Sequence, residues 1–203
     1  MRVIRVRSKE WEKLTQRGFI RRAQIEERVR RIVESVRTEG DAALLRFTRR
    51  FDRVRLKPKN LKVTEAETSA AFQNISPQFV SALKRVIENV ERFYLRSAPK
   101  SWRIRDENGV VLGEHLVPLE RVGVYVPSGT APLVSTVYMT VLPAKIAGVK
   151  EILLVTPPKP DGSVDPHILV VANLLKVGAV YKIGGAQAVA ALAFGTKIVP
   201  KVD

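Results

Sequence analysis

The chain has 203 residues, with 35 Lys+Arg against 20 Asp+Glu and a net charge of +15. Hydrophobic residues make up 45% and charged residues 27%, an ordinary globular composition that excludes wholesale disorder and can furnish a core. The absence of cysteine excludes a disulfide scaffold, a thiolate zinc site and a cysteine nucleophile, and two histidines, His115 and His167, are too few for a histidine-rich metal site.

The charge is uneven. Residues 1–60 hold 19 basic and 8 acidic side chains, residues 61–120 hold 8 of each, and residues 121–203 hold 8 and 4. The basic excess reads first as a solvated helical face, the ordinary fate of surface charge. Its second reading is a nucleic-acid or anionic-membrane footprint. Against nucleic acid, the basic residues are interleaved with acidic ones and no stacking aromatics recur among them. No apolar run approaches the roughly 18 residues a bilayer span needs. The N-terminal MRVIRVRSKEW lacks the apolar stretch of a signal peptide, so a cytoplasmic protein with no membrane partner is expected.

Residues 1–100 read as helical. Ile25, Val29, Ile32, Val33 and Val36 share one helical face, with Glu26–Arg30 and Glu27–Arg31 as i,i+4 pairs on its wet side. Gly40 ends this helix, and Asp41 is the predicted cap of the next, over Ala42–Phe51. Thr64 and Glu67 form a capping box, and Ser76-Pro77 starts a long helix with Val80, Leu83, Ile87, Val90 and Tyr94 on one face. Near Pro99 the pattern changes. Trp102 and Ile104, then Val110 and Leu112, alternate around Asn108-Gly109, which predicts a hairpin with strands at 101–106 and 109–118.

From residue 121 strand and helix alternate. VGVYVP (122–127), EILLVTPP (151–158) and AVYKIG (179–184) are buried-type strands, separated by helices at Ser135–Ala147 and from Asp165-Pro166 to Leu175. An Ala-rich helix follows from Ala186 to Phe194. This predicts an α/β fold: an N-terminal helical region with a β-hairpin over 1–120, then an open parallel sheet over 121–203. Such sheets bind ligands at the carboxyl ends of their strands. Those ends carry Tyr125 to Pro132, Thr156-Pro157-Pro158 and Gly184-Gly185-Ala186-Gln187. The Gly184-Gly185 pair permits close approach of a ligand to the start of a helix.

Each candidate has a plainer reading. Tyr125 suits a core tyrosine, Gln187 a helix cap, and Ser128 and Thr130 turn formers. His115 suits a surface hairpin position, His167 a first helical turn, and Asp106-Glu107 the hairpin turn. Neither phosphate-loop glycine fingerprint, no H-E-x-x-H helix and no Ser-His-Asp spacing occurs. The residues therefore predict a binding edge, with no catalytic residue and no metal ligand in this chain.

RVGVYVPSGTAPLVSTVYMTVLPAKIAGVKEILLVTPP (121–158), then YKIGGAQAVAALAFGT (181–196) and IVPKVD (198–203), resemble histidinol dehydrogenase in order and spacing. EGDAALLRFTRRFD (39–52) resembles the same family's N-terminal region. The resemblance implies a Rossmann-like sheet without the usual glycine loop, similar to that of the aldehyde dehydrogenases. It implies a four-electron oxidation of L-histidinol to L-histidine, the last step of histidine biosynthesis, by an NAD- and zinc-dependent homodimer. The tyrosine of V-Y-V-P and the glutamine of G-G-A-Q contact NAD in that family, and here they are Tyr125 and Gln187.

Family members continue past the position of Asp203 into a G-P-G-N block with a further NAD contact. The zinc ligands and the Glu-His catalytic pair follow. The chain is thus expected to be an N-terminal half, inactive alone, working as a homodimer or with a complementary C-terminal half. Its Rossmann-like sheet would be incomplete. Ile198-Val199, as a last strand, and the Val80–Val90 face would then lack some partners. The competing readings are a basic nucleic-acid-binding module and a non-catalytic subunit.

Overall fold

A computed structural model of the chain describes residues 5–15, 23–128 and 131–203. It divides into two compact units, residues 1–31 and 32–203. In the first, Ser8 Oγ accepts from Trp11 N at 3.2 Å and starts helix α1 (Lys9–Thr15). The beginning of α2 (Ala23–Glu39) follows, where Arg31 Nε donates to Glu27 at 2.9 Å, one of the two predicted pairs. Ile25 and Val29 are exposed on this stretch, so the apolar face of α2 buries only its later members, Ile32 and Val36.

The second unit is built on a parallel sheet of β3 (Arg121–Tyr125), β4 (Glu151–Thr156) and β5 (Ala179–Lys182), in the spatial order β3-β4-β5. Its strands are apolar runs because both faces are covered. Ile152 and Leu154 enter one core with α6 (Val134–Ile146), α7 (Pro166–Leu174) and residues of α4 (Glu65–Gln73) and α5 (Pro77–Ser97). Leu153 and Val155 enter the opposite core with α3 (Asp41–Phe51) and α8 (Gly185–Phe194). The helices before residue 120 therefore share cores with the sheet after it.

The helix starts follow their side chains. Thr64 Oγ1 accepts from Glu67 N while Glu67 reaches back to Thr64 N, the predicted capping box. Ser76 Oγ accepts from Phe79 N ahead of α5, and Asp165 accepts from His167 N ahead of α7. Gly40, at φ +58°, closes α2 in the left-handed region. Asp41 is not a cap. It is the first residue of α3, and its carboxylate accepts from Ile198 N at 3.4 Å.

Three expectations change. The hairpin is shorter, β1 (Trp102–Arg105) with β2 (Val111–Glu114), and its turn is a loop of Glu107, Asn108 and Gly109. The Asp106 carboxylate accepts from the N–H groups of Asn108 and Val110, and Gly109 takes φ +82°. The side chain of Asp106 thus competes with the two-residue turn that Asn-Gly alone favours. His115 lies beyond β2. Ile198-Val199 forms no strand: Thr196 Oγ1 accepts from both backbone N–H groups, and Val199 is fully buried. The α5 face is also covered, since Leu83 is buried and Val80, Ile87, Val90 and Tyr94 pack on the α6–α7 core.

Candidate functional site

The carboxyl ends of β3, β4 and β5 form one edge. β3 places Tyr125 there, 36% exposed, and its hydroxyl oxygen accepts from Gly185 N at 3.3 Å. The plainer reading of a buried core tyrosine is thus replaced by a phenol bridging β3 to the start of α8. Gly184 leads into that helix. A Cβ on Gly184 would lie 2.4 Å from Pro157 Cγ, so only glycine lets this turn lie against the β4 end. Gly185 takes φ +63°, and a Cβ there would meet Gln187 Oε1 at 2.8 Å.

Gln187, in the first turn of α8, is 1% exposed, and its Oε1 is buried without a hydrogen-bond partner. It does not cap the helix, because α8 has no side-chain cap. The structure thus brings Tyr125 and Gln187 close to Gly185, one half-exposed and one with an unmet acceptor. A buried acceptor left unmet costs about 1–3 kcal/mol, which a ligand donor can recover. Thr156, at the end of β4, is likewise fully buried with Oγ1 unpartnered. Of the turn residues after β3, Ser128 forms an isolated bridge to Pro132, whereas Gly129 and Thr130 lie outside the described residues.

The other polar candidates are used by the fold. His167 Nδ1 lies 3.0 Å from Asp165 Oδ1, and the ring stands edge-on to Phe79. His115, Asp106 and Glu107 are exposed. Arg46 pairs with Glu39 and lies over Phe47, while Arg37 and Arg50 lie over Phe194 and Phe51. No three His, Asp or Glu side chains gather as a metal site among the described residues.

Sequence reasoning passed over two ionisable features. Lys182, 5% exposed at the end of β5, pairs with Glu67 of the capping box. Burial pushes the Glu67 carboxyl up, but the Lys182 ammonium and the Thr64 hydrogen bonds outweigh it and hold the group below its ordinary range. A lysine ending an apolar strand was the available signal. Asp52, following α3, has Oδ2 buried without a partner, and burial pushes its carboxyl up to about 6.

An open parallel sheet with a glycine-backed helix start at its strand ends defines an open α/β protein, a class whose members bind ligands at that edge. The histidinol dehydrogenase family model matches residues 15–203. The histidinol dehydrogenase of Symbiobacterium thermophilum is 47% identical over 180 residues, 89% of this chain and 41% of the relative. That of Clostridium acetobutylicum is 44% identical over 195 residues, 96% of this chain and 45% of the relative. A crystal structure of histidinol dehydrogenase from Elizabethkingia anophelis matches with a TM-score of 0.87 at 36% identity, over 96% of this chain and 44% of that one. The chain belongs to the histidinol dehydrogenase family, a family of oxidoreductases. It spans less than half the length of these relatives.

Proposed function

We propose that this chain is the NAD-contacting N-terminal portion of a histidinol dehydrogenase, which oxidises L-histidinol to L-histidine at the end of histidine biosynthesis. Tyr125 and Gln187 are its NAD contacts. The observation that carries this reading is their convergence on Gly185 at the carboxyl edge of the sheet. NAD supplies a hydride acceptor. The Tyr125 hydroxyl, already accepting from Gly185 N, keeps its own hydrogen to donate to a ligand oxygen. Gln187, buried in this structure, would offer its amide to the ligand by turning out from beneath Gly185. The bare backbone of Gly184 and Gly185 leaves the start of α8 open to an anionic group.

The described residues do not fit zinc, having no gathered donor set, so no step is assigned through it. Nor is any side chain placed as general base. Both proposed contacts belong to the stretch 121–203, read as the NAD-contacting domain. The compartment is cytoplasmic and the working assembly a homodimer or a complex with a C-terminal portion. No helix among the described residues is long and apolar enough to cross a membrane. The arginines lying over phenyl rings cover faces that a nucleic-acid base would stack on, which disfavours a nucleic-acid partner.

The purified chain is expected to show no histidinol-dependent NAD reduction; steady turnover, free of contaminating enzyme, overturns that. Calorimetry is expected to find weak NAD binding that Tyr125→Phe and Gln187→Met each reduce by about tenfold, the low part of the range for a lost ligand hydrogen bond. Unchanged binding in both variants places the site elsewhere.

A further inference from the structure

The basic excess of the chain is concentrated in one stretch of the sheet-bearing unit. From Arg49 to Lys62 the sequence holds seven basic side chains and one acidic, Asp52. All seven are exposed, and none forms an ion pair among the described residues. Just upstream, Arg37 pairs with Glu34 and Arg46 with Glu39. Asp52 offers no such relief, because its Oδ2 is buried. The nearby loop adds Lys159 and Asp161 as a pair at 4.0 Å, and so no net charge.

These cations sit on a seated backbone. Val54 is buried and Leu56 half-buried, and Gly162 lies against both: a Cβ there would meet Leu56 Cδ2 at 3.4 Å and Val54 Cγ1 at 3.5 Å. Leu61 is fully buried, and its carbonyl accepts from Lys182 N at 2.8 Å, while Val63 N donates to Val180 O at 2.8 Å. Between these anchors exposure alternates, so Arg53, Arg55 and Lys57 face solvent as a row. Alternate residues of an extended chain lie about 6–7 Å apart. Arg53 also takes φ +61°, a left-handed conformation that glycine adopts freely and a side chain strains. An arginine is thus kept where folding alone favours glycine, the kind of strain that accompanies a functional position.

We propose that residues 49–62 form a docking strap for a linear phosphate polymer, an inorganic polyphosphate, held by charge along the row Arg53, Arg55 and Lys57. Unpaired cations on a seated backbone meet closely spaced phosphates without first breaking ion pairs of their own, and the backbone gives up little freedom on binding. A nucleic-acid strand would add stacking, but Phe51, the one aromatic ring of the stretch, stacks on Phe47 and lies under Arg50. A bilayer would need apolar side chains to enter it, and Val54 and Leu61 are buried in the protein. A polymer of phosphates alone asks for nothing but the cations.

The test titrates the full 203-residue chain with long-chain inorganic polyphosphate by calorimetry across a series of salt concentrations. The logarithm of the affinity should fall linearly with the logarithm of salt, as neutralised phosphates release their counterions. Arg53→Gly, Arg55→Gln and Lys57→Gln together should flatten that slope by about three and weaken binding by about tenfold or more. Arg53→Gly alone should flatten it by about one, while the chain melts at the same temperature or higher because the strain at φ +61° is relieved. Arg103→Gln with Arg105→Gln, which removes two exposed cations of β1, should leave the slope unchanged. Polyglutamate, with its carboxylates more widely spaced, should bind about tenfold more weakly than polyphosphate.

Absence of polyphosphate binding at low salt overturns the proposal. So does a triple variant with an unchanged slope, or a β1 variant that flattens the slope as much as the strap variants, which would assign binding to net charge rather than to the strap. Single-stranded DNA, polyglutamate or vesicles of anionic lipid binding as tightly as polyphosphate overturn the choice of occupant. A fall in melting temperature for Arg53→Gly overturns the argument that its arginine is kept against folding.

Discussion

The parallel sheet and the β1–β2 hairpin are both made of short strands, yet the molecule treats them in opposite ways. Every residue of β4 after Glu151 is buried, and its side chains alternate between two cores. Every residue of β1 and β2 is exposed, although Trp102, Ile104 and Leu112 share one face by the register of their pairing. A ladder, the Trp102 Nε1 bond to Glu114 and the Asp106 turn hold the hairpin together. Strand formation thus needs pairing and turn chemistry, whereas stability comes from what covers the faces. An isolated two-stranded ribbon is marginal in water for that reason.

The sharpest way to break this contrast is to cut one side chain from each region. Leu154→Ala, at a fully buried site, is expected to cost about 2–5 kcal/mol in chemical denaturation. Ile104→Ala, at a site 58% exposed, should stay within about 0.5 kcal/mol. Comparable losses would show that the hairpin face is covered in solution.

Next in size is the polar tie between sheet and α4. Glu67→Gln leaves Lys182 charged and buried without its partner. The expected loss is about 2–3 kcal/mol, low for a broken buried pair because Glu67 keeps 33% of its side chain in water. Melting of Glu67→Gln beside a Glu67→Gln, Lys182→Met double variant checks it: recovery in the double variant identifies the stranded ammonium as the cause.

The sheet-bearing unit also carries a pH handle. Folding raises the Asp52 carboxyl from 3.8 to about 6. The folded state therefore binds its proton more tightly, and this group costs stability above pH 6 but not below pH 4. Asp52→Asn is expected to stabilise by about 1–3 kcal/mol at pH 7–8, with the gain fading as pH falls through 6 to 4. A gain independent of pH would assign the effect to something other than ionisation.

Smallest of these effects is that of Gly109→Ala. At φ +82° it should cost about 1–2 kcal/mol, confined to the hairpin. Faster amide exchange in Trp102–Glu114 with unchanged melting of the sheet is the expected outcome; a cooperative loss of both would join the two regions into one unit.

The sequence was most legible where a local rule met no competitor. The three sheet strands showed as apolar runs bounded by glycine and proline, and the Thr64–Glu67 and Ser76–Pro77 starts showed as side-chain grammar within one turn. Legibility failed where a distant or rival partner decided. Asp41 looked like a cap but serves Ile198, and Asp106 reshaped the Asn-Gly turn. Lys182 and Glu67 are 115 residues apart, beyond any local pattern. For the candidate site, Tyr125 and Gln187 were readable as residues. The phenol on the Gly185 amide and the burial of the Gln187 oxygen depend on the parallel register and on how closely α8 lies to the sheet.

That closeness has a genetic consequence. A Cβ on Gly123 would fall 2.5 Å from Leu192 Cδ1, much as one on Gly184 would strike Pro157. A saturation library selected for folded protein should therefore show two nearly empty columns at these glycines. Revertants at position 123 should arise as smaller side chains at Leu192, whereas position 184 should yield none as readily, because its obstacle is a rigid proline ring.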